Sequence, residues 1–180
     1  MAVWNVLAHT DVGSGNAASV TYSSISQSYD HLLLQASLRS TNTGSYADET
    51  IMQVNSSTNY AHYSQAFVFC SASTIYNQRW DNNTGFPYFR IGYLPQNGSQ
   101  ANGFSGMNLW FPNYAGTTGL KQIMIQSVVR IQGANTYGIW DTCGLFHQTS
   151  GISTLKIYPH NSSDSFTQHS TLTLYGIKGA

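Results

Sequence analysis

The chain has 180 residues with seven basic and seven acidic side chains, so its formal net charge is zero and charged residues make up 8% of it, where about a quarter is usual. Its polar surface is built from 66 Ser, Thr, Asn and Gln residues instead. This balance leaves no field to steer a polyanion and no Lys/Arg cluster for a membrane surface, which argues against a nucleic acid or a membrane as partner. Aromatic residues, at 13%, are too plentiful for a disordered chain, and one Glu with three Lys is too little for a helical bundle.

The first ten residues hold neither a basic segment nor a long apolar run, so no signal peptide is read there. Strands are expected at 3–7 and 19–22, with a turn at 11–15. Over 30–39, Leu32, Leu34, Ala36 and Leu38 alternate with His31, Leu33, Gln35, Ser37 and Arg39. Period two over that length is the clearest strand signal in the chain, and residues 40–44 end it with turn chemistry. Strands follow at 50–54 and 66–69, then a long polar loop at 71–86, a strand at 88–92, a second long loop at 95–104 and a strand at 107–111. Turn-rich residues fill 113–119. Over 121–131, Ile123, Ile125, Val129 and Ile131 share a face that Ser127 interrupts, and 133–135 closes the strand. The last strands are expected at 137–140, 152–158 and 170–177. The pattern predicts an all-β fold, a jelly-roll-like antiparallel β-sandwich of about ten strands, with residues 1–180 as a single domain. The longest apolar runs, such as 32–34, are far too short to span a bilayer.

The chain carries no H-E-x-x-H, no phosphate-binding glycine loop, no G-x-S-x-G and no C-x-x-C. None of its six His residues lies two to five residues from another, so no local metal pair is visible. The few acids sit mostly at turns and strand ends, where Asp holds backbone hydrogen bonds, and Asp48-Glu49 reads as a loop-to-strand junction. The expectation is a protein that is not an enzyme and uses no cofactor and no metal. Cys70 and Cys143 read as two small buried hydrophobes, with their pairing left open. The sequons at Asn55, Asn82, Asn97 and Asn161 reflect an Asn/Ser-rich chain.

Aromatic faces stack on sugars and amides supply directional hydrogen bonds. That combination occurs over 59–63, 76–83 and 108–114. It nominates Tyr60, His62, Tyr63, Arg79, Trp80, Trp110 and Tyr114 as candidate interface or glycan contacts. On a strand face the same aromatics build core or subunit contacts. Trp110 and Trp140 read that way, while Trp80, in an expected polar loop, divides between interface and core.

Several segments in order resemble a family of small phage virion proteins. They are Ser24-Ile-Ser-Gln-Ser-Tyr-Asp-His-Leu-Leu-Leu-Gln-Ala-Ser-Leu-Arg-Ser40, Asn55 followed by Asn59-Tyr60, Tyr114-Ala leading to Lys121, Gly138-Ile-Trp140, and the closing Leu174-Tyr-Gly-Ile177. The resemblance spans roughly residues 20–178. It implies a structural role in the virion and a jelly-roll-like sandwich, and it carries no catalytic residues. This chain lacks the extra basic residue expected near Gln35, which weakens an electrostatic partner.

A single domain without shaft, heptads or fibre repeat favours a capsid decoration or cement protein. It would be made in the host cytoplasm and incorporated into the virion, where it bridges capsomers and stabilises the head by mass action. Its expected partners are copies of itself, as a trimer, and the major capsid protein or other virion proteins. The alternative is a tail fibre or tail-associated receptor-binding module recognising host surface glycan through the loops around Tyr60, His62, Arg79 and Trp80.

Overall fold

The computed structural model describes residues 2–43, 48–71, 74–81, 85–96, 102–130 and 137–179. Twelve strands run through them: β1 Val3–Asp11, β2 Val20–Tyr22, β3 His31–Leu38, β4 Asp48–Val54, β5 Tyr63–Ser71, β6 Thr74–Trp80, β7 Phe89–Leu94, β8 Ser105–Pro112, β9 Lys121–Arg130, β10 Tyr137–Phe146, β11 Leu155–Pro159 and β12 Thr171–Lys178. A single 3₁₀ turn, Tyr60–His62, precedes β5, and no α-helix occurs among the described residues. None of them forms a helix long and apolar enough to cross a membrane.

Eight strands make one sheet in the order β1-β12-β3-β8-β9-β10-β5-β6, and four make the other in the order β2-β11-β4-β7. Every pairing is antiparallel. The pairs are nested, β1 with β12 and β2 with β11, then β3 with β8 and β4 with β7, which is the winding of a jelly roll. The expected fold class is therefore the observed one.

The two sheets bury one core between them. Leu32 and Leu34 of β3, Leu109 and Phe111 of β8, Ile123 and Ile125 of β9, and Leu172 and Leu174 of β12 face Met52 and Val54 of β4, Phe89 and Ile91 of β7, and Leu155 and Ile157 of β11. These are the apolar halves of period-two strands, and each such side chain contributes about 1.5–3 kcal/mol by leaving water. Gly92 sits in β7 beside the register shift at Thr50/Ile51, with φ of 143°. Only glycine adopts that backbone freely, and a Cβ there would lie 2.1 Å from the Ser127 Oγ.

Two expectations fail at the level of elements. The polar loop expected at 71–86 contains strand β6, and β1, β5 and β10 run well beyond the predicted segments. Six of the seven residues of β6 are exposed. An edge strand lacks the alternation that marks a half-buried one. Residues 44, 72–73, 82–84, 97–101 and 131–135 of the expected loops, turns and strand ends, with Ile131 and the sequon residues Asn82 and Asn97 among them, lie outside the described residues.

The large sheet is four strands wider than the small one, and its end near β6 holds an aromatic cluster on the inner side. The Phe67 and Trp140 rings stack at 4.1 Å, Trp80 lies 4.9 Å from Phe67, and Tyr93 approaches Phe69 and Trp140 edge-on at 5.0 and 5.2 Å.

Candidate functional site

Over most of its strands the inner face of the large sheet is filled by the core, with a small hollow of about 270 Å³ left among the aromatics near β6, so the broad face available to a partner is the outer one. Strand register places those side chains in rows that cross the sheet. One row reads Asp11, Thr171, Ser37, Gly106, Val128, Ile139, Cys70, Ile75 from β1 to β6. The next reads His9, Thr173, Gln35, Asn108, Gln126, Asp141, Val68, Asn77, and the one beyond it Val6, Tyr175, Leu33, Trp110, Met124, Cys143, Ala66, Arg79.

Two hollows indent this face. One, about 630 Å³, lies over β12, β3, β8, β9 and β10 and is walled by Gln35, Asn108, Gln126, Asp141 and Thr173, with the small Ser37 and Gly106 on its flank. The other, about 730 Å³, lies over β10, β5 and β6 and is walled by Ala66, Val68, Cys70, Ile139 and Cys143, with Arg79 at its rim. They meet at Ile139 and Asp141. Val68, Ile75, Met124, Val128 and Ile139 are between 44% and 69% exposed on this face. In the polar row the His9 Nδ1 and Thr173 Oγ1 are 2.8 Å apart, and the Gln35 Nε2 donates to the Asn108 Oδ1 at 3.1 Å.

The seven nominated residues do not form one site. Tyr63 is a correction: it is buried, its hydroxyl donates to the Ser57 carbonyl at 3.0 Å and accepts from the Val54 N–H at 3.2 Å, and burial pushes that phenol up to about 12. Tyr114 is a second correction. It is fully buried and its hydroxyl donates to the Ser26 carbonyl. In both, a polar tip meets backbone and the ring fills core, so neither faces a ligand.

Tyr60 is exposed at the start of the 3₁₀ turn. His62 closes that turn onto the end of β10. Amide nitrogens of Gln148 and Asn59 lie 2.8 and 3.3 Å from its Nε2, the Ser57 hydroxyl lies 2.7 Å from its Nδ1, and its ring meets Phe146 edge-on at 5.7 Å. Amides donate, so Nε2 accepts and Nδ1 carries the proton toward Ser57. Both ring nitrogens are occupied within the protein.

Trp80 turns to the inner side of β6. The Arg90 guanidinium lies 4.3 Å over its ring and 4.7 Å over Phe86, and is held at 2.8 Å by Glu49. Phe67 and Phe86 cover the rest of the indole. The expected loop platform for a sugar is thus an internal cation–π contact. Arg79 points outward from β6, exposed and paired with Asp81 at 2.8 Å. Trp110 stands on the outer face, half-buried, its ring 5.1 Å from that of His31, while Trp140 is in the core as expected. The two cysteines are free and lie on the outer face, Cys143 exposed and Cys70 half-buried, which corrects their reading as buried hydrophobes. Among the described residues no three His, Cys, Asp or Glu side chains gather as a metal site.

Sequence reasoning included Asn108 in a nominated segment without singling it out, and missed Gln126, Asp141, Val68, Val128 and Ile139. A signal was present in β9, where the face opposite the isoleucines reads Gln122, Met124, Gln126, Val128, Arg130. Two large apolar residues on an otherwise solvated face mark it as more than a wet surface.

No protein-family model and no curated protein matches the chain. Among solved structures it is similar to the legume lectin-like domain from Entamoeba histolytica, at 9% identity over 99% of this chain and 90% of that one, with a TM-score of 0.35. It is also similar to the potassium-bound carbohydrate recognition domain of Emp46p, at 9% identity over 96% and 87% of the two chains and a TM-score of 0.26. An alginate lyase from Alteromonas sp. 272 follows at 9% identity over 96% and 79%, with a TM-score of 0.13. Likenesses of this size assign no function. The fold rests on the strand pairing and the site on its side chains.

Proposed function

We propose that the chain is a phage virion structural protein that decorates the capsid, assembling as a trimer and bridging capsomers through the outer face of its large sheet. The observation that supports this reading is the apolar hollow over β10, β5 and β6. Val128 stands opposite Ile139, and Cys70 joins Ile139 to Ile75 in the same row. Solvated sheet faces alternate toward polar residues, and a contiguous apolar patch rimmed by polar ones marks an interaction surface. The partner's chemistry follows from the rim, where one cation, Arg79, is already paired with Asp81. A neutral, partly apolar surface suits it, and desolvating it sets few ions against the gain. The resemblance of the sequence to small virion proteins supplies the partner class, the assembled shell. Binding only that shell stabilises it by mass action.

Quantifying the chain in purified particles tests the reading. Copies on the order of hundreds per particle are expected, spread over the head, with the free protein scattering light as a trimer. Val68→Asp with Ile75→Asp, both exposed on that face, should leave particles undecorated and less heat-resistant. A dozen copies or fewer, confined to the tail, would overturn decoration and favour the receptor-binding alternative.

A further inference from the structure

We propose that the polar hollow on the same face binds a neutral oligosaccharide. This does not depend on the decoration reading: the two hollows share Ile139 and Asp141, while Gln35, Asn108 and Gln126 line the polar one alone. It is lined by a row of side chains from five adjacent strands: Thr173, Gln35, Asn108, Gln126 and Asp141. At about 4.8 Å per strand the row is roughly 19 Å long, room for a chain of several sugar rings.

The chemistry of the row selects the ligand. Each amide offers both a donor and an acceptor, as vicinal sugar hydroxyls require. The bond from Gln35 to Asn108 fixes those two amides side by side at 3.1 Å. It leaves the Gln35 oxygen and the Asn108 nitrogen for a ligand. Gln126 and Asp141, next in the row, are exposed and make no side-chain hydrogen bond among the described residues. The next row on one side carries Tyr175 and Trp110, two residues along from Thr173 and Asn108 on the same strands. The other flank holds Ser37 and Gly106, and a Cβ added at Gly106 would meet only Val128, at 3.6 Å. The trough is open there.

Other ligands fit less well. The one charged group in the wall of the hollow is Asp141, which repels phosphate, sulfate and uronic acid. An extended peptide needs main-chain partners, and here the strands on both sides of every inner strand already take them. A purely apolar ligand would strip water from four amide or carboxylate groups without replacing it.

The test is titration of the full chain with tetra- to hexasaccharides of glucose, galactose, mannose and N-acetylglucosamine, beside sulfated and uronic-acid oligomers. A neutral member of the panel should bind. Asn108→Ala and Gln126→Ala should each weaken it about tenfold, the loss of one or two hydrogen bonds, without moving the melting temperature, since both side chains are exposed. Val68→Ser, in the apolar hollow, should bind as the parent does. Absence of binding across the neutral panel, preference for the acidic oligomers, or unchanged affinity in both amide variants would overturn the proposal. Loss of particle attachment in Val68→Asp with Ile75→Asp, neither of which lines the polar hollow, bears on decoration alone.

Discussion

Asp48 sits buried at the start of β4, its Oδ2 accepting from the Ser40 hydroxyl at 2.9 Å. Burial is the main cause that lifts its carboxyl from 3.8 to about 6; Asp164 beside it raises it further, and the Ser40 bond pulls the other way. The folded state therefore holds a proton that the unfolded chain has released between about pH 4 and pH 6, and stability falls as pH rises through that window. Two pKa units correspond to about 3 kcal/mol. Asp48→Asn keeps an oxygen for Ser40 and removes the charge. It should be more stable than the parent at pH 7 by about 1–3 kcal/mol and show no such slope between pH 4 and pH 6. Denaturant unfolding at both pH values checks this, and a variant no more stable at pH 7 would count against it. None of this was legible in the sequence, where Asp48-Glu49 reads as an ordinary junction. Burial of an acid depends on what the chain folds over it. The same holds for Tyr63 and Tyr114: the sequence shows an aromatic with a polar tip, and only the fold decides whether that tip meets water or a carbonyl.

At the scale of elements, the segments that make the sequence look familiar turn out to be packing devices. In the closing Leu-Tyr-Gly-Ile, Leu174 enters the core while Gly176 accepts the face of Tyr29, and a Cβ there would lie 2.6 Å from the ring. Gly138 does the same for Phe69, beside Trp140. In the loop from Tyr114 to Lys121, the Lys121 ammonium is buried and donates to the carbonyls of Gly116, Gly119 and Thr149 at 2.5, 2.8 and 2.9 Å. Its desolvation lowers its pKa. Gly176→Ala should therefore cost about 1–3 kcal/mol, the usual penalty of overpacking, whereas Gly13→Ala, with nothing within 4 Å of the added carbon, should shift the melting temperature little. Equal melting of the two variants would remove Tyr29 as the reason for Gly176. Strands β3, β9 and β12 were legible because each buries one face and alternates cleanly. Strand β6 was not, because an edge strand with both faces wet has no period to read. The polar trough was hidden for a related reason, since the outward residues of any strand look like solvated surface until register lines them up with their neighbours.

At the scale of the whole molecule, the scarcity of charge becomes a statement about what the surface can respond to. The strand order, with β12 between β1 and β3 and β5 beside β10, joins residues far apart in sequence and could not be read from local pattern, yet it is what gathers the outer face into rows of amide, hydroxyl and aliphatic side chains. That face carries Asp141 in one hollow and an Arg79 neutralised by Asp81 at the rim of the other. Attachment through it should therefore be governed by apolar contact and hydrogen bonds, with little long-range attraction to screen. Raising salt from about 0.1 M to about 1 M shortens the Debye length from about 10 Å to about 3 Å, which weakens contacts that depend on opposed charges and strengthens burial slightly if at all. Binding of the purified chain to particles stripped of it should then change less than about twofold over that range. Lowering the temperature should weaken it, as apolar contact does. A steep loss with salt would mean that the partner is held by ion pairs, through Arg130 at the end of β9 or through the surface around Lys156 or Lys178.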